Sequence, residues 1–260
     1  MIRKEGDVRA KKFLGQHFLT DEGIAHEIVE SLRMPAGVTD VLEIGPGMGV
    51  LTKYLLENTS YTTHAIELDR DSIPYLNLHF PALKDRLIEG DFLKMDFDEH
   101  FKMPFAIIGN FPYNISTQIL FRILDSKDKV PMMVGMFQKE VAERIASPPG
   151  NRDYGILSVL LQPWFEIEYL FTVDQDKFNP PPKVKSAILR VTRNERTAMK
   201  VEQKWFTTVV KTGFNQRRKT LRNALRPILP VDFSNIPYLD LRAEALSWQM
   251  FEELAVLLKP

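Results

Sequence analysis

The segment of this chain best suited to chemistry is NFPY, which follows an apolar run near the middle of the sequence. The amide oxygen of Asn110 and the main-chain carbonyl of Phe111, held by the fixed φ of Pro112, are two hydrogen-bond acceptors. Acceptors that bind both N–H groups of an aromatic amine draw its nitrogen toward tetrahedral geometry and aim the lone pair at an electrophile. The ring of Tyr113 offers a stacking surface for a flipped-out base, a contact worth about 1–3 kcal/mol. In isolation a structural turn explains the segment equally well.

A glycine-rich turn and two acidic residues describe a pocket for a nucleoside. Gly45, Gly47 and Gly49 crowd a turn between a predicted strand and a predicted helix, where small residues let a ligand approach the backbone. Glu67 ends the next predicted strand, where a carboxylate can accept from both ribose hydroxyls. Asp91 ends a third strand and suits an adenine amino group. The spacing is not G-x-G-x-x-G and no P-loop lysine follows, which favours S-adenosylmethionine over NAD or a nucleoside triphosphate.

The charge of the chain is balanced in number but uneven in position. It has 34 basic and 34 acidic residues, yet residues 211–226 carry six Lys or Arg and no acid. A solvated helix face is the ordinary explanation, and a polyanion-binding face is the functional one. The spacing predicts Arg218 and Arg222 on one helical face. Three apolar residues of the same run are expected in the core: Phe214, Leu221 and Leu225. A second basic segment lies near the N-terminus: Arg9, Lys11 and Lys12.

Several classes of protein are excluded or disfavoured by composition. The absence of cysteine excludes disulfides, thiolate metal sites and cysteine nucleophiles. No apolar run reaches the length of a membrane span, and the first residues lack the apolar centre of a signal peptide. The five histidines show no HExxH spacing. We therefore expect a cytoplasmic protein that binds no metal and does not contact a membrane.

The apolar pattern predicts two domains. Strand-like runs alternate with helical stretches up to about residue 194, which indicates an α/β domain with a mostly parallel sheet. The predicted strands lie in these segments: TDVLEI, YTTHAIELD, RLIEGD, FAIIG, PMMVG, the end of YGILSVLLQPWFEIEYLFTV, and SAILRVTR. Beyond these segments the apolar residues recur at helical spacing. Examples are Trp205 and Val209, and near the C-terminus Leu254, Val256 and Leu257. We predict a catalytic domain over residues 1–194 and a small all-helical domain over 195–260.

Nine segments carry a resemblance to a known family, in this order from residue 15 to 225: GQHFLTD, VLEIGPGMGVLT, AIELD, EGDFL, GNFPYNIS, QKEVAERI, YGILSVLLQ, FNPPPKVKSAILR and FNQRRKTLRNAL. Together they resemble the ribosomal RNA adenine N6,N6-dimethyltransferase family, and within it the bacterial small-subunit enzymes. The resemblance implies a Rossmann-like class I methyltransferase domain. It also implies S-adenosylmethionine as cofactor and transfer of four methyl groups to two adjacent adenosines in a hairpin near the 3′ end of 16S rRNA.

The resemblance also implies roles for particular residues. Cofactor contacts would fall on His17, Leu19, Gly45, Gly47, Glu67, Leu68, Asp91, Phe92 and Asn110. The catalytic set would be Asn110, Phe111, Pro112, Tyr113 and Phe178, with Tyr113 and Phe178 on either side of the target adenine. RNA contacts would fall on Arg217, Arg218, Lys219 and Arg222. Two positions depart from the family pattern, because His17 stands where asparagine is frequent and Phe111 where leucine is usual.

Four other functions remain open from the sequence. The nearest is the related enzyme that dimethylates an adenine of 23S rRNA, which shares the pocket and the chemistry. The others are a DNA adenine methyltransferase, a ribosome-assembly or transcription factor without catalysis, and a small-molecule methyltransferase. The basic FNQRRKTLRNAL segment favours 16S rRNA as the partner, in the immature 30S subunit, and we expect the protein to act as a monomer.

Overall fold

The structure is a computed structural model and describes residues 10–11 and 14–259 of the 260-residue chain. The strands among these residues are β1 Phe18–Leu19, β2 Asp40–Ile44, β3 Thr62–Glu67, β4 Leu87–Glu89, β5 Ala106–Asn110, β6 Met132–Gln138, β7 Phe165–Val173, β8 Phe178–Asn179 and β9 Ser186–Arg193. The helices are α1 Glu22–Glu30, α2 Thr52–Glu57, α3 Ser72–His79, α4 Phe97–His100, α5 Ser116–Asp125, α6 Lys139–Ala146, α7 Ile156–Leu161, α8 Gln203–Asn215, α9 Leu221–Ala224 and α10 Trp248–Leu257.

A seven-stranded sheet organises the first part of the chain, in the order β4-β3-β2-β5-β6-β9-β7. The five strands from β4 to β6 run parallel, and β9 is antiparallel to β6. This sheet, with helices between its strands, confirms the predicted α/β, Rossmann-like fold. Because the carboxyl ends of parallel strands share one edge, the residues that follow β2, β3, β4 and β5 are brought together there.

The central strands are buried on both sides, as expected for a parallel sheet covered by helices. All of β5 except its last residue is inaccessible to solvent, and β6 is buried up to its last residue. Helix α5 follows the NFPY segment and packs one face inward, through Ile119, Leu120, Ile123 and Leu124. The segment with the most chemistry is therefore held between a fully buried strand and a well-packed helix.

The described residues form two compact units. The first contains the chain up to Ala142 together with Glu168–Arg193, and the second contains Glu143–Ile167 and the residues from Asn194 onward. The second unit thus includes residues 143–167, which the sequence analysis assigned to the first domain, because α7 packs against α8 and α10. The assignment of cofactor binding and RNA binding to separate domains remains a prediction.

The C-terminal helices differ from the expected pattern in two respects. Helix α8 ends at Asn215 and α9 begins at Leu221, so Arg218 lies in the intervening turn. The prediction that Arg218 and Arg222 share one helical face was therefore wrong, although Phe214, Leu221 and Leu225 are buried as predicted. In α10, Val256 and Leu257 are nearly half exposed. The buried residues of that helix are Phe251, Glu252, Leu254 and Ala255.

Candidate functional site

A cleft opens at the carboxyl edge of the sheet, within the first compact unit. Twenty residues line it: Leu14, Gly15, Gln16, His17, Phe18, Ile44, Gly45, Gly47, Ile66, Glu67, Leu68, Gly90, Asp91, Phe92, Asn110, Phe111, Pro112, Tyr113, Asn114 and Ile115. They come from the segment before β1 and from the ends of β2, β3, β4 and β5. All the residues predicted to contact the cofactor line this cleft except Leu19.

The glycine loop shapes the floor of the cleft. Gly45 has a φ of +66°, and a Cβ built on it would meet no atom within 4 Å, so the backbone faces open space. Gly47 also has positive φ, and a Cβ there would lie 2.8 Å from the ring of Phe18. Glycine adopts this positive φ at both positions at low cost, and at Gly47 it also avoids the contact with Phe18. The open backbone at Gly45 fits the close approach of a ligand.

Glu67 is held at the end of β3 by main-chain donors. Its Oε2 accepts from the Gly47 N–H at 3.0 Å, and its Oε1 accepts from the Asp69 N–H at 2.8 Å. Burial raises the pKa of Glu67, and these two hydrogen bonds act in the opposite direction. Each carboxylate oxygen keeps one lone pair for a further donor. The carboxylate is thus fixed in orientation and still able to accept from paired hydroxyl groups.

Asp91 and its neighbours form the opposite wall. Asp91 caps a 3₁₀ turn over Phe92–Lys94, and its Oδ1 accepts from the Leu93 N–H at 2.9 Å. Phe92 is buried, and Leu68 is about half exposed at the rim of the cleft. The cleft lining thus combines a carboxylate acceptor with two apolar side chains, which suits the polar edge and the faces of an adenine ring.

Asn110 ends β5 and points its amide into the cleft. Its Nδ2 donates to the main-chain carbonyl of His17 at 2.9 Å. Since this bond uses the amide nitrogen, Oδ1 is the side of the amide left to accept from a ligand. His17 is held in turn, because its Nδ1 lies 2.8 Å from the carbonyl of Pro180. The bond to the His17 carbonyl thus fixes which end of the Asn110 amide can accept from a ligand.

Phe111 lies in a slot made by two glycines. Gly109 of β5 and Gly135 of β6 are partners across the two strands. A Cβ on Gly135 would lie 2.2 Å from Phe111 Cε2, and one on Gly109 would lie 2.8 Å from Phe111 Cε1. The ring is 1% exposed and packs edge-on against Phe137. The side chain belongs to the core, so the main-chain carbonyl is the part of Phe111 that can act in the cleft.

Tyr113 is tied to the sheet by its hydroxyl group. The Tyr113 Oη lies 2.6 Å from Ser186 Oγ, and Ser186 is fully buried at the start of β9. Burial raises the pKa of Tyr113, which keeps the phenol neutral. Its ring lies 5.5 Å from the His17 ring, centroid to centroid. Sequence reasoning missed Ser186, although it stands in the FNPPPKVKSAILR segment.

Two predicted site residues lie in the core and do not line the cleft. Leu19 and Phe178 are opposite each other in the two-stranded β1–β8 pair, and each is 4% exposed. The pairing brings the segment that contains Phe178 next to the segment that contains His17. Contact of these two side chains with cofactor or base remains a prediction.

A polar network missed by sequence reasoning fixes the segment before β1. Lys11 forms ion pairs with Asp69 and Asp71, and Gln16 Nε2 donates to Asp69 at 3.2 Å. Burial alone would raise the pKa of Asp69, but the hydrogen bonds from Lys11, Gln16 and the Asp71 N–H outweigh it and lower that pKa. The predicted basic arm therefore has one member bound to the protein itself, and Arg9 and Lys12 lie outside the described residues.

The four predicted RNA contacts, in the second unit, divide into two groups. Arg217 Nη2 donates to the carbonyls of Arg152 and Tyr154, and Arg222 pairs with Asp240 at 2.9 Å. Arg218 and Lys219 are exposed in the turn between α8 and α9. Two of the four guanidinium or ammonium groups thus stabilise the unit itself, and two point to solvent.

No group of three or more His, Asp or Glu residues in the described part of the chain could hold a metal ion. Among the residues described, no helix is both long and apolar enough to cross a membrane.

A family model described as ribosomal RNA adenine dimethylase matches residues 8–246 of this chain. A protein of Cytophaga hutchinsonii named ribosomal RNA small subunit methyltransferase A is 57% identical over 252 residues, which are 96% of this chain and 98% of that protein. The protein of the same name from Parabacteroides distasonis is 54% identical, over 96% of this chain and 94% of its own length.

Solved structures agree with these relatives. A dimethyladenosine transferase from Plasmodium falciparum superposes with a TM-score of 0.76 at 25% identity, over 92% of this chain and 96% of its own. The 23S rRNA methyltransferase ErmE superposes with a TM-score of 0.69, also at 25% identity, over 92% of this chain and 99% of its own.

Proposed function

The chain belongs to the ribosomal RNA adenine dimethylase family, and from this we propose that it dimethylates N6 of two adjacent adenosines in a hairpin near the 3′ end of 16S rRNA. It is an rRNA methyltransferase, and its cofactor is S-adenosylmethionine. Relatives at 51–57% identity carry a name that specifies the small subunit, which supports the 16S substrate over the 23S one. We further propose that it acts in the cytoplasm, as a monomer, on the immature 30S subunit.

The cleft has the features that an adenosyl ligand requires. We assign the ribose hydroxyls to Glu67, whose carboxylate keeps free lone pairs beside two main-chain donors. The adenine amino group is assigned to Asp91, with Phe92 and Leu68 on the ring faces. The open backbone at Gly45 receives the sugar and the sulfur end. When bound, S-adenosylmethionine supplies a methyl group on a sulfonium, which is a strong electrophile.

The observation that carries the proposal is the hydrogen bond from Asn110 Nδ2 to the His17 carbonyl. It leaves Oδ1 as an acceptor in the cleft, and the next residue, Phe111, supplies a main-chain carbonyl. These two acceptors would take the two N–H groups of the target adenine and aim its nitrogen at the methyl group. Since they bind the tetrahedral nitrogen better than the planar one, they lower the barrier to transfer.

The rings complete the handling of the base. Tyr113, fixed by Ser186 at 2.6 Å, is proposed to stack on the target adenine, with Phe178 on the other face. Leu19 and His17 are proposed to contact the methionine end of the cofactor. On the second unit, Arg218 and Lys219 are proposed to bind phosphates, with Arg217 and Arg222 beside them.

The test is transfer of radiolabelled methyl groups from S-adenosylmethionine to immature 30S particles and to 50S particles, both lacking adenine dimethylation. We expect label in 16S rRNA, recovered as N6,N6-dimethyladenosine after nucleoside analysis. Label confined to 23S rRNA would contradict the 16S assignment and indicate a 23S rRNA methyltransferase, as ErmE is. The Asn110→Ala variant is the control, since it should still bind RNA but transfer no label, and its cofactor affinity is measured separately with S-adenosylhomocysteine. If Asn110→Ala transferred as much label as the wild type, the role assigned to Asn110 would be wrong.

A binding role without catalysis predicts a different pattern. An assembly factor would bind 30S particles equally well as wild type or Asn110→Ala and would transfer no methyl group in either form. A small-molecule methyltransferase would bind S-adenosylmethionine but show no salt-sensitive binding to RNA.

A further inference from the structure

An arginine outside the cleft holds the 3₁₀ turn Phe92–Lys94, which begins after Asp91 in the cleft lining. Arg122 lies on α5, and its Nη1 donates to the Leu93 carbonyl at 2.7 Å. Its Nη2 donates to the Met95 carbonyl. Leu93 lies inside the 3₁₀ turn Phe92–Lys94, and Met95 immediately follows that turn. One planar guanidinium therefore binds two carbonyls of the segment that begins at Asp91.

The same guanidinium packs against rings of this segment. Its Cζ lies 4.4 Å from the centroid of Phe97 and 5.5 Å from that of Phe92. Phe92 lines the cleft. Burial lowers the pKa of Arg122, and the carboxylates of Asp91 and Asp96 raise it. The side chain thus contacts the turn by hydrogen bonds, by stacking and by attraction to the acid at its start.

Arg122 also connects this turn to the catalytic segment. Helix α5 begins at Ser116, whose Oγ donates to the Tyr113 carbonyl at 3.2 Å. The main-chain N–H of Ile115 donates to the Pro112 carbonyl at 3.1 Å. One well-packed helix, α5, therefore fixes the NFPY segment at its N-terminal end. Through Arg122, further along the helix, it also fixes the 3₁₀ turn Phe92–Lys94.

We propose that Arg122 is a positioning residue, which holds Asp91 and Phe92 at the adenine end of the cleft in a fixed relation to Asn110 and Tyr113. The proposal rests on the proposed function, because Asp91 can select adenine only if an adenosyl cofactor binds in this cleft. Lysine cannot replace arginine here, since an ammonium lacks the planar fork that reaches two carbonyls and stacks on a ring.

The experiment measures selectivity for the adenine amino group. Isothermal titration calorimetry with S-adenosylhomocysteine and with S-inosylhomocysteine compares two ligands that differ at the position facing Asp91, where a carbonyl replaces the amino group. The wild type should prefer the adenosyl ligand. In Arg122→Lys and Arg122→Gln we expect the affinity for S-adenosylhomocysteine to fall about tenfold, which is about 1.4 kcal/mol. The affinity for S-inosylhomocysteine should fall less, so the ratio of the affinity for the adenosyl ligand to that for the inosyl ligand should decrease. In turnover, KM for the cofactor should rise more than kcat falls.

Arg190→Lys is the matched control. Arg190 is a buried arginine of the same unit that binds Glu168 and donates to the Ser31 carbonyl at 3.2 Å, and it does not line the cleft. This variant should lose thermal stability and keep the wild-type ratio of affinities. A ratio that narrows equally in Arg190→Lys, or that stays unchanged in both Arg122 variants, would overturn the proposal. Failure of the wild type to bind either ligand would instead contradict the proposed function.

Discussion

Substitution of Gly135 by alanine tests whether the slot around Phe111 controls the catalytic segment. An added Cβ would lie 2.2 Å from Phe111 Cε2 and 2.9 Å from Met133 Sδ. Real Cβ atoms do not approach other atoms so closely, and the ring is 1% exposed, so it cannot move into solvent. The ring must therefore shift within the core, and we expect the main chain of Phe111, which lines the cleft, to shift with it.

The size of the effect follows from overpacking. Insertion of a methyl group into a well-packed core costs about 1–3 kcal/mol, and a loss of about 2 kcal/mol lowers the thermal midpoint by roughly 4–8 °C for a unit of this size. Phe111→Leu removes the Cε atoms and should cost about 1–2 kcal/mol by leaving a cavity. In the double variant the methyl group fills part of that cavity, so the two losses should not add. We expect a coupling of at least about 1 kcal/mol.

The assay is a double-mutant cycle followed by thermal unfolding and by kcat with immature 30S particles. Gly135→Ala should lower kcat while the affinity for S-adenosylhomocysteine stays within about twofold, and Phe111→Leu should restore kcat. Gly109→Ala is the control, because its Cβ would also lie 2.7 Å from the main-chain oxygen of Ile44. Phe111→Leu should not rescue that variant. Losses in Gly135→Ala and Phe111→Leu that add within about 0.5 kcal/mol would refute the reasoning.

Four single substitutions give further predictions. Burial raises the pKa of Glu43 to about 8. The folded state therefore binds this proton more tightly, and stability present at low pH is lost as pH rises from about 4.5 through 8. Glu43→Gln should flatten this slope in unfolding measured from pH 5 to 9, and an unchanged slope would contradict the assignment. Tyr113→Ala should lower kcat/KM for RNA by about tenfold or more with cofactor affinity unchanged, since stacking is worth about 1–3 kcal/mol; equal losses in both would place the ring on the cofactor. Arg218→Glu should weaken RNA binding and reduce the salt slope by about one, whereas Arg217→Gln should lower thermal stability, because Arg217 binds the carbonyls of Arg152 and Tyr154.

The fold, and the residues that line the cleft at the ends of the parallel strands, could be predicted from sequence because both depend on local patterns. Glu67, Asp91 and Asn110 each stand at or just after the end of an apolar run, and parallel strands end at a common edge. The break between α8 and α9 could not be predicted, since the turn at 216–220 contains neither glycine nor proline.

Contacts between distant residues were also beyond sequence reasoning. Arg122 binds carbonyls 27 and 29 positions earlier in the chain, and Lys11 reaches Asp69 across 58 positions. Such partners depend on how packed elements meet, and no spacing rule within one element specifies them. The same holds for Ser186, which lies 73 positions from Tyr113.

The ionisable residues that line the cleft also indicate how the reaction disposes of its proton. They are His17, Glu67, Asp91 and Tyr113. Glu67 and Asp91 are assigned to the cofactor, and the raised pKa of Tyr113 keeps it neutral. His17 is assigned to the methionine end of the cofactor, with its Nδ1 donating to the Pro180 carbonyl. With these assignments, none of the four groups is left to remove a proton from the target amine before transfer. The amine becomes acidic only as the methyl group bonds to it, so the proposed reaction needs no base, and its proposed source of catalysis is alignment by Asn110 and Phe111.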